Sequence, residues 1–191
     1  YLMGKPLPVG EYARVADKAG ADALARVQWL IDTPLRLSEY MTAAKSRGLS
    51  LNASLEIDVG LHRGGFTDPA ALSAAVEAAK SGGAKIYGLM GYDPHVPKMP
   101  SPEKAYAATQ IAYKTAIDIL KAANLDVSAM TLNGAGSPTF RRHCKGTVAN
   151  EVSVGSAFVK PGDFDYEDLA DLTPAAFIAT PVLKASGDQQ L

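Results

Sequence analysis

The chain has 191 residues, of which 47% are hydrophobic and 20% charged, with a formal net charge of -1. That balance supports one globular domain with a real core, and with no basic run beyond Arg141-Arg142-His143-Cys144-Lys145 it points away from nucleic acid as a partner. Cys144 is the single cysteine, which rules out an internal disulfide; no apolar stretch approaches ~18 residues, and Tyr1-Leu2-Met3-Gly4-Lys5 lacks a signal-peptide layout, so a soluble, cytoplasmic protein without a membrane partner is expected.

Strand-like and helix-like segments alternate along the chain. Residues 1–3 are a short apolar start, followed after Gly4 and Pro6 by a helical pattern over 9–19. Residues 26–31 read as a buried strand, and Thr33-Pro34 opens a helix carrying Leu37, Tyr40, Met41 and Ala44 that stops at Gly48. Residues 51–59 are the next strand. Thr67-Asp68-Pro69 starts a helix with Leu72, Ala75, Val76 and Ala79 on its apolar stripe, ended by Gly82-Gly83. A strand over 85–90 precedes the longest helix, which begins at Ser101-Pro102-Glu103, places Tyr106, Tyr113, Ile117 and Leu120 on one face and closes at Asn124. Residues 126–132, 148–159 and 175–183 read as further strands, the last after a polar, acidic stretch over 160–173.

Strands about 25 to 35 residues apart, with a helix between each pair, are the signature of parallel βαβ units, so the fold class is α/β. In a parallel sheet or (β/α) barrel the carboxyl ends of the strands share one face, and ligands bind there. Three turns at such ends combine glycine with polar groups: residues 58–65, Gly91-Tyr92-Asp93-Pro94-His95, and 133–139. The last interrupts an apolar run as Asn133-Gly134-Ala135-Gly136-Ser137-Pro138-Thr139. Gly134 and Gly136 are expected to reach positive φ and bring bare N–H groups close to an anion, with the Ser137 and Thr139 hydroxyls as added donors, a layout that suits a phosphate. An ordinary strand-to-helix turn is the plainer reading of the glycine pair alone.

These turns carry a family resemblance. Leu55-Glu56-Ile57-Asp58-Val59-Gly60 with Arg63 and Gly65, Gly88-Leu89-Met90-Gly91-Tyr92 with His95, the stretch 133–140, and Asn150-Glu151-Val152 with Gly155-Ser156 resemble, in order and spacing, the D-threonine aldolase and D-serine dehydratase family. This is the alanine-racemase-like, fold type III group of pyridoxal-phosphate enzymes. The resemblance implies a TIM-type (β/α) barrel with pyridoxal 5'-phosphate at its mouth, then a smaller β domain, usually in a homodimer. It also implies a Schiff-base lysine on an early strand and a metal pair in the β domain, and neither segment is found in this chain. The chain is therefore expected to be a piece of a longer protein, with residues 1–160 a partial barrel and 161–191 a linker and the start of the β domain.

On this resemblance Asn133, Gly134, Ala135, Gly136 and Ser137, with the backbone of Gly155 and Ser156, bind the cofactor phosphate. Arg63 falls near the cofactor's phenolic oxygen, where a surface salt bridge with Glu56 or Asp58 is the plainer alternative. Tyr92 and His95 line the ring and the substrate side, against the alternatives of a half-buried tyrosine and a loop histidine. His62 reads as a solvated turn residue, and Ser153 takes the place of the arginine that faces the pyridine nitrogen in racemases, so no charge is supplied there. Of Lys5, Lys85 and Lys98, none sits in a sequence that desolvates an amine. The activity implied is a lyase on D-amino acids, of the aldolase or dehydratase type, through a Schiff base, with any divalent metal bound outside this chain. A racemase, a protein that holds pyridoxal phosphate without turnover, and an unrelated phosphate-binding barrel are the alternatives.

Overall fold

The computed structural model of the protein describes residues 1–2, 4–179, 181–186 and 189–190. Its centre is a five-stranded parallel sheet in sequence order: β1 (Trp29–Ile31), β2 (Asn52–Glu56), β3 (Lys85–Met90), β4 (Thr131–Gly134) and β5 (Glu151–Val152). Leu2 adds a parallel bridge to Gln28 at the outer edge of β1. Four α-helices among the described residues connect the strands: α1 (Val9–Leu24), α2 (Pro34–Lys45), α3 (Pro69–Ser81) and α4 (Pro102–Ala122).

The period of two along a strand decides what each face carries. Ile31, Leu55, Leu89 and Leu132 stand in register across four strands and belong to the apolar core. Burying a side chain of that size contributes about 1.5–3 kcal/mol. The residues of the other parity, Ser54, Glu56, Met90 and Asn133, are buried on the opposite, concave face. The sheet is curved. Gln28 Nε2 donates to Thr131 Oγ1 at 3.0 Å, whereas in a flat sheet strands β1 and β4 would stand about 14 Å apart, three spacings of about 4.8 Å. The fold is thus a partial (β/α) barrel, with the helices outside.

Local chemistry accounts for the helix starts. Thr33 Oγ1 accepts from Arg36 N at 3.2 Å and Asp68 Oδ1 from Ala70 N at 2.9 Å, each before a proline in the first turn. The first helix runs past the predicted end at residue 19 to Leu24, across a kink at Gly20. Its buried Tyr12 packs edge-on against Trp29 of β1, with ring centroids 4.8 Å apart, and lies 4.6 Å from Tyr40 of α2.

Three predicted strands are corrected. Residues 126–132 do not start as a strand: Asp126 accepts from Ser128 N and Oγ, which folds Val127–Ala129 into a 3-10 turn before β4. Of residues 148–159 only Glu151–Val152 are strand, because the Asn150 side chain takes over the pairing, accepting from Leu132 N and donating to Met130 O, both at 2.8 Å. Ser156–Phe158 then form another 3-10 turn. Residues 175–179 and 181–183 form no strand; after the Ala175 amide donates to Val159 O they leave the sheet without pairing to it, and residue 180 lies outside the described residues. The polar stretch before them is docked instead of loose: Leu169 is fully buried, Arg142 Nε lies 2.6 Å from Asp168, and Arg141 pairs with Asp171. A short antiparallel pair, β6 (Ala185–Ser186) with β7 (Gln189–Gln190), ends the chain.

Candidate active site

The carboxyl ends of the parallel strands surround a cavity of about 550 Å³, lined among others by Lys5, Arg63, Tyr92, Gly136, Ser137 and Ser156. A smaller cavity of about 270 Å³ shares Lys5 and Arg63 with it and is also walled by Asp32 and Glu56. These residues come from five different strand ends, the arrangement expected where a parallel barrel binds its ligand.

Arg63 is carried by a closed excursion over residues 57–66. Ile57 and Phe66 form a parallel bridge, Phe66 N donates to Glu56 O at 2.8 Å, and Asp58 holds the tip by accepting from Gly60 N and His62 N at 2.9 and 3.0 Å. Burial alone would raise the Asp58 carboxyl, but these bonds, with the His62 ring at 2.7 Å, hold it below its ordinary value. His62 is consequently an exposed turn residue, as its sequence suggests. The Arg63 guanidinium lies 4.5 Å from the centroid of the Tyr92 ring and 3.6 Å from Glu56 Oε1. The alternative pairing with Glu56 and the place at the cavity mouth are therefore both realised, and one does not exclude the other. Burial raises the Glu56 carboxyl, against the opposing pull of Arg63.

The glycine turn is built differently from the sequence expectation. Neither Gly134 nor Gly136 takes positive φ; Ala135 does, at 65°. Gly136 is required by space, because a Cβ there would stand 2.4 Å from Cε2 of the Tyr92 ring. The Gly136 amide points inward, to Thr139 Oγ1 at 3.1 Å, and the Gly155 amide donates to Ser137 Oγ at 3.2 Å, so neither is free for an anion. Asn133 is likewise engaged: its side chain donates to Glu151 at 2.6 Å and accepts from Ser153 at 3.0 Å, which pins β5 to β4. The Tyr113 phenol, pushed up by burial and so held protonated, donates to the Asn133 carbonyl.

What remains for an anion is Ser137 and Ser156. Ser137 Oγ accepts two amides, from Gly155 and Ala157 at 3.2 and 3.0 Å. With both lone pairs occupied, its hydroxyl proton is left to donate outward, into the cavity. Ser156 lines the same cavity, is exposed, and its N–H has no partner among the described residues.

His95 stands away from this lining. Its ring packs on Gly60, where a Cβ would come within 2.8 Å of Nε2, and its Nδ1 is buried without a hydrogen-bond partner among the described residues. Burial lowers its pKa. Lys5 gains a place that the sequence reading left weak: it projects from the end of the Leu2 bridge to the rim of both cavities. The Thr139 hydroxyl, expected as a further anion donor, is instead fully buried and donates to Asp93, and with His143 and the half-buried Thr147 these residues form a polar group behind the turn whose other members the sequence left unassigned. Its members are separated by 46 and 50 residues, and no local spacing signals them.

A parallel α/β partial barrel with a polar, cation-bearing cavity at its strand ends is the class that fold and site define. The chain belongs to the family described as alanine racemase, N-terminal domain, whose profile matches residues 3–161. No curated protein matches. Similar solved structures include D-threo-3-hydroxyaspartate dehydratase from Delftia sp. HT23, at 17% identity and TM-score 0.65, covering 81% of this chain and 41% of that one. D-threonine aldolase from Filomicrobium marinum is 24% identical with TM-score 0.63, over 89% of this chain and 44% of that one. An alanine racemase of Clostridium difficile 630, in complex with cycloserine, is 20% identical with TM-score 0.70, over 91% and 45%. The chain thus spans less than half the length of each of these proteins, and the likeness is one of fold.

Proposed function

We propose that this chain is the cofactor-binding part of a pyridoxal-phosphate enzyme acting on D-amino acids, a lyase of the D-threonine aldolase or D-serine dehydratase type. The observation that carries the reading is Ser137: its two accepted amides leave a hydroxyl proton for a cavity that Arg63, stacked on Tyr92, also lines. A phosphate fits this donor set, with the Ser137 hydroxyl and the unpartnered amide of Ser156 as donors and no titrating group among them. When bound, pyridoxal phosphate supplies the electron sink for the pair released as a bond near the amino acid's α-carbon breaks. Ser137 and Ser156 would hold the phosphate end, Tyr92 would offer a flat apolar wall, and Arg63, kept in place by Glu56, would supply a positive charge to the bound cofactor. Lys5 offers a cation at the rim for a substrate carboxylate. Any divalent metal that such a lyase uses is assigned, on the family resemblance, to residues outside this chain. In the same reading residues 161–191 lead into a β domain, and a second copy of the protein completes the site.

The test uses the full-length protein. Pyridoxal phosphate is expected to bind much more tightly than pyridoxal, and Gly136→Val, whose side chain would collide with Tyr92, is expected to abolish the visible absorbance of the bound cofactor. D-threonine should give glycine and acetaldehyde, or D-serine pyruvate and ammonia. Interconversion of D- and L-alanine without cleavage would make it a racemase; equal binding of pyridoxal and its phosphate would remove the phosphate site.

A further inference from the structure

We propose that Asp93 and His143 form a buried brace that sets the shape of the phosphate-binding turn, with Asp93 as a positioning residue acting through Thr139. The inference rests on the phosphate reading above and goes beyond it, since neither residue lines the cavity.

The side chains of Asp93 and His143 are 2% and 3% exposed, and Asp93 makes no ion pair with lysine or arginine among the described residues. A carboxylate so placed is tolerated only if its oxygens are satisfied by donors. Two are present. Thr139 Oγ1 reaches Oδ1, and His143 Nε2 lies 3.0 Å from Oδ2. An ionised carboxylate only accepts, so both neighbours must donate, and that requirement orders the protons of the whole group. Thr139 spends its one proton on Asp93, and its oxygen therefore receives the Gly136 amide. His143 donates from Nε2, its Nδ1 shares a hydrogen bond with Thr147 Oγ1 at 2.9 Å, and Thr147 Oγ1 in turn accepts from Ala149 N at 3.0 Å.

The result is a single chain of hydrogen bonds. It runs from the Gly136 amide through Thr139 to Asp93, and from the Ala149 amide through Thr147 and His143 to the same carboxylate. It joins the turn that carries Ser137 to the segment that leads into β5 and on to Ser156, the two groups assigned to the phosphate. Asp93 also follows Tyr92 directly, so the brace ties to these segments the loop whose ring closes over Gly136. Without Asp93, Thr139 would turn its proton to the Gly136 carbonyl, 3.3 Å away, and the turn would lose its link to the rest of the wall.

The experiment compares binding of inorganic phosphate, pyridoxal phosphate and pyridoxal to the full-length protein and to Asp93→Ala, Thr139→Val and Thr139→Ser. Asp93→Ala and Thr139→Val are expected to weaken both phosphate-bearing ligands on the order of tenfold, the scale of one lost hydrogen bond, while pyridoxal changes little. Thr139→Ser, which keeps the hydroxyl, is expected to bind like the unaltered protein. Nitrogen NMR should find a proton on His143 Nε2. Unchanged phosphate affinity in both disabling variants would overturn the brace, as would equal weakening of pyridoxal, or a Thr139→Ser as damaging as Thr139→Val. Should Asp93→Ala not fold, the two Thr139 variants decide alone. If the unaltered protein itself fails to prefer phosphate-bearing ligands, the functional reading falls instead.

Discussion

Leu55 and Leu89, in the middle of the sheet, are fully buried, whereas Phe177 and Ile178, just as apolar, are 84% and 91% exposed beyond it. Residues up to Gly134 are held by apolar burial between a curved sheet and four helices. Residues from Ala135 onward contribute one two-residue strand to that sheet and are tied together by polar contacts, Ser137 to two amides and Arg141 and Arg142 to Asp171 and Asp168, while Asn150 joins them to β4 and Thr139 and His143 join them to Asp93. Apolar composition alone does not make a core; a paired neighbour is needed to receive it. The cavity lies on the seam between the two regions, with Arg63 and Tyr92 on one side and Ser137 and Ser156 on the other.

The contrast can be broken by substitution. Leu55→Ala, in the fully buried layer, is expected to cost about 2–5 kcal/mol in denaturant unfolding and to lower protection across the whole sheet. A loss no larger than that of a surface change would mean that the sheet is not the main source of stability. Ser137→Ala strands the amides of Gly155 and Ala157, at a cost of about 1–3 kcal/mol. Its effect should be local. Hydrogen exchange is expected to accelerate at those two amides and to stay unchanged in β2 and β3, and acceleration throughout would merge the two regions into one cooperative unit.

The smallest effect concerns Glu56. Because burial raises its carboxyl, the folded chain holds that proton more tightly than the unfolded chain does. Its contribution is therefore most favourable below the ordinary glutamate value and declines as pH rises from there through the raised folded value. Glu56→Gln should flatten that decline in a series of melting temperatures, and a parallel pair of curves would show that Arg63 fully compensates the burial.

Much of the first region was legible. Thr33-Pro34 and Asp68-Pro69 announce their helices because capping is local chemistry, and residues 85–90 read as a strand because they are one. The turns bearing Arg63, Tyr92 and Ser137 were legible as neighbours at strand ends, since parallel topology puts those ends on one face. His95 was not separable from them by sequence. It lies only three positions from Tyr92, yet its ring packs on Gly60 instead of lining the cavity, an outcome decided by how two loops fold over each other.

The sequence by itself determined the α/β alternation through residue 134 and the family resemblance, because side-chain period, caps and motif spacing act over a few residues. Only the tertiary structure decided that Gly136 is small to admit the Tyr92 ring, that Ala135 takes the left-handed turn, and that Asp93 meets His143 across 50 residues. Those outcomes depend on which buried donors and acceptors must be satisfied together, and that demand arises only once distant segments have shut water out.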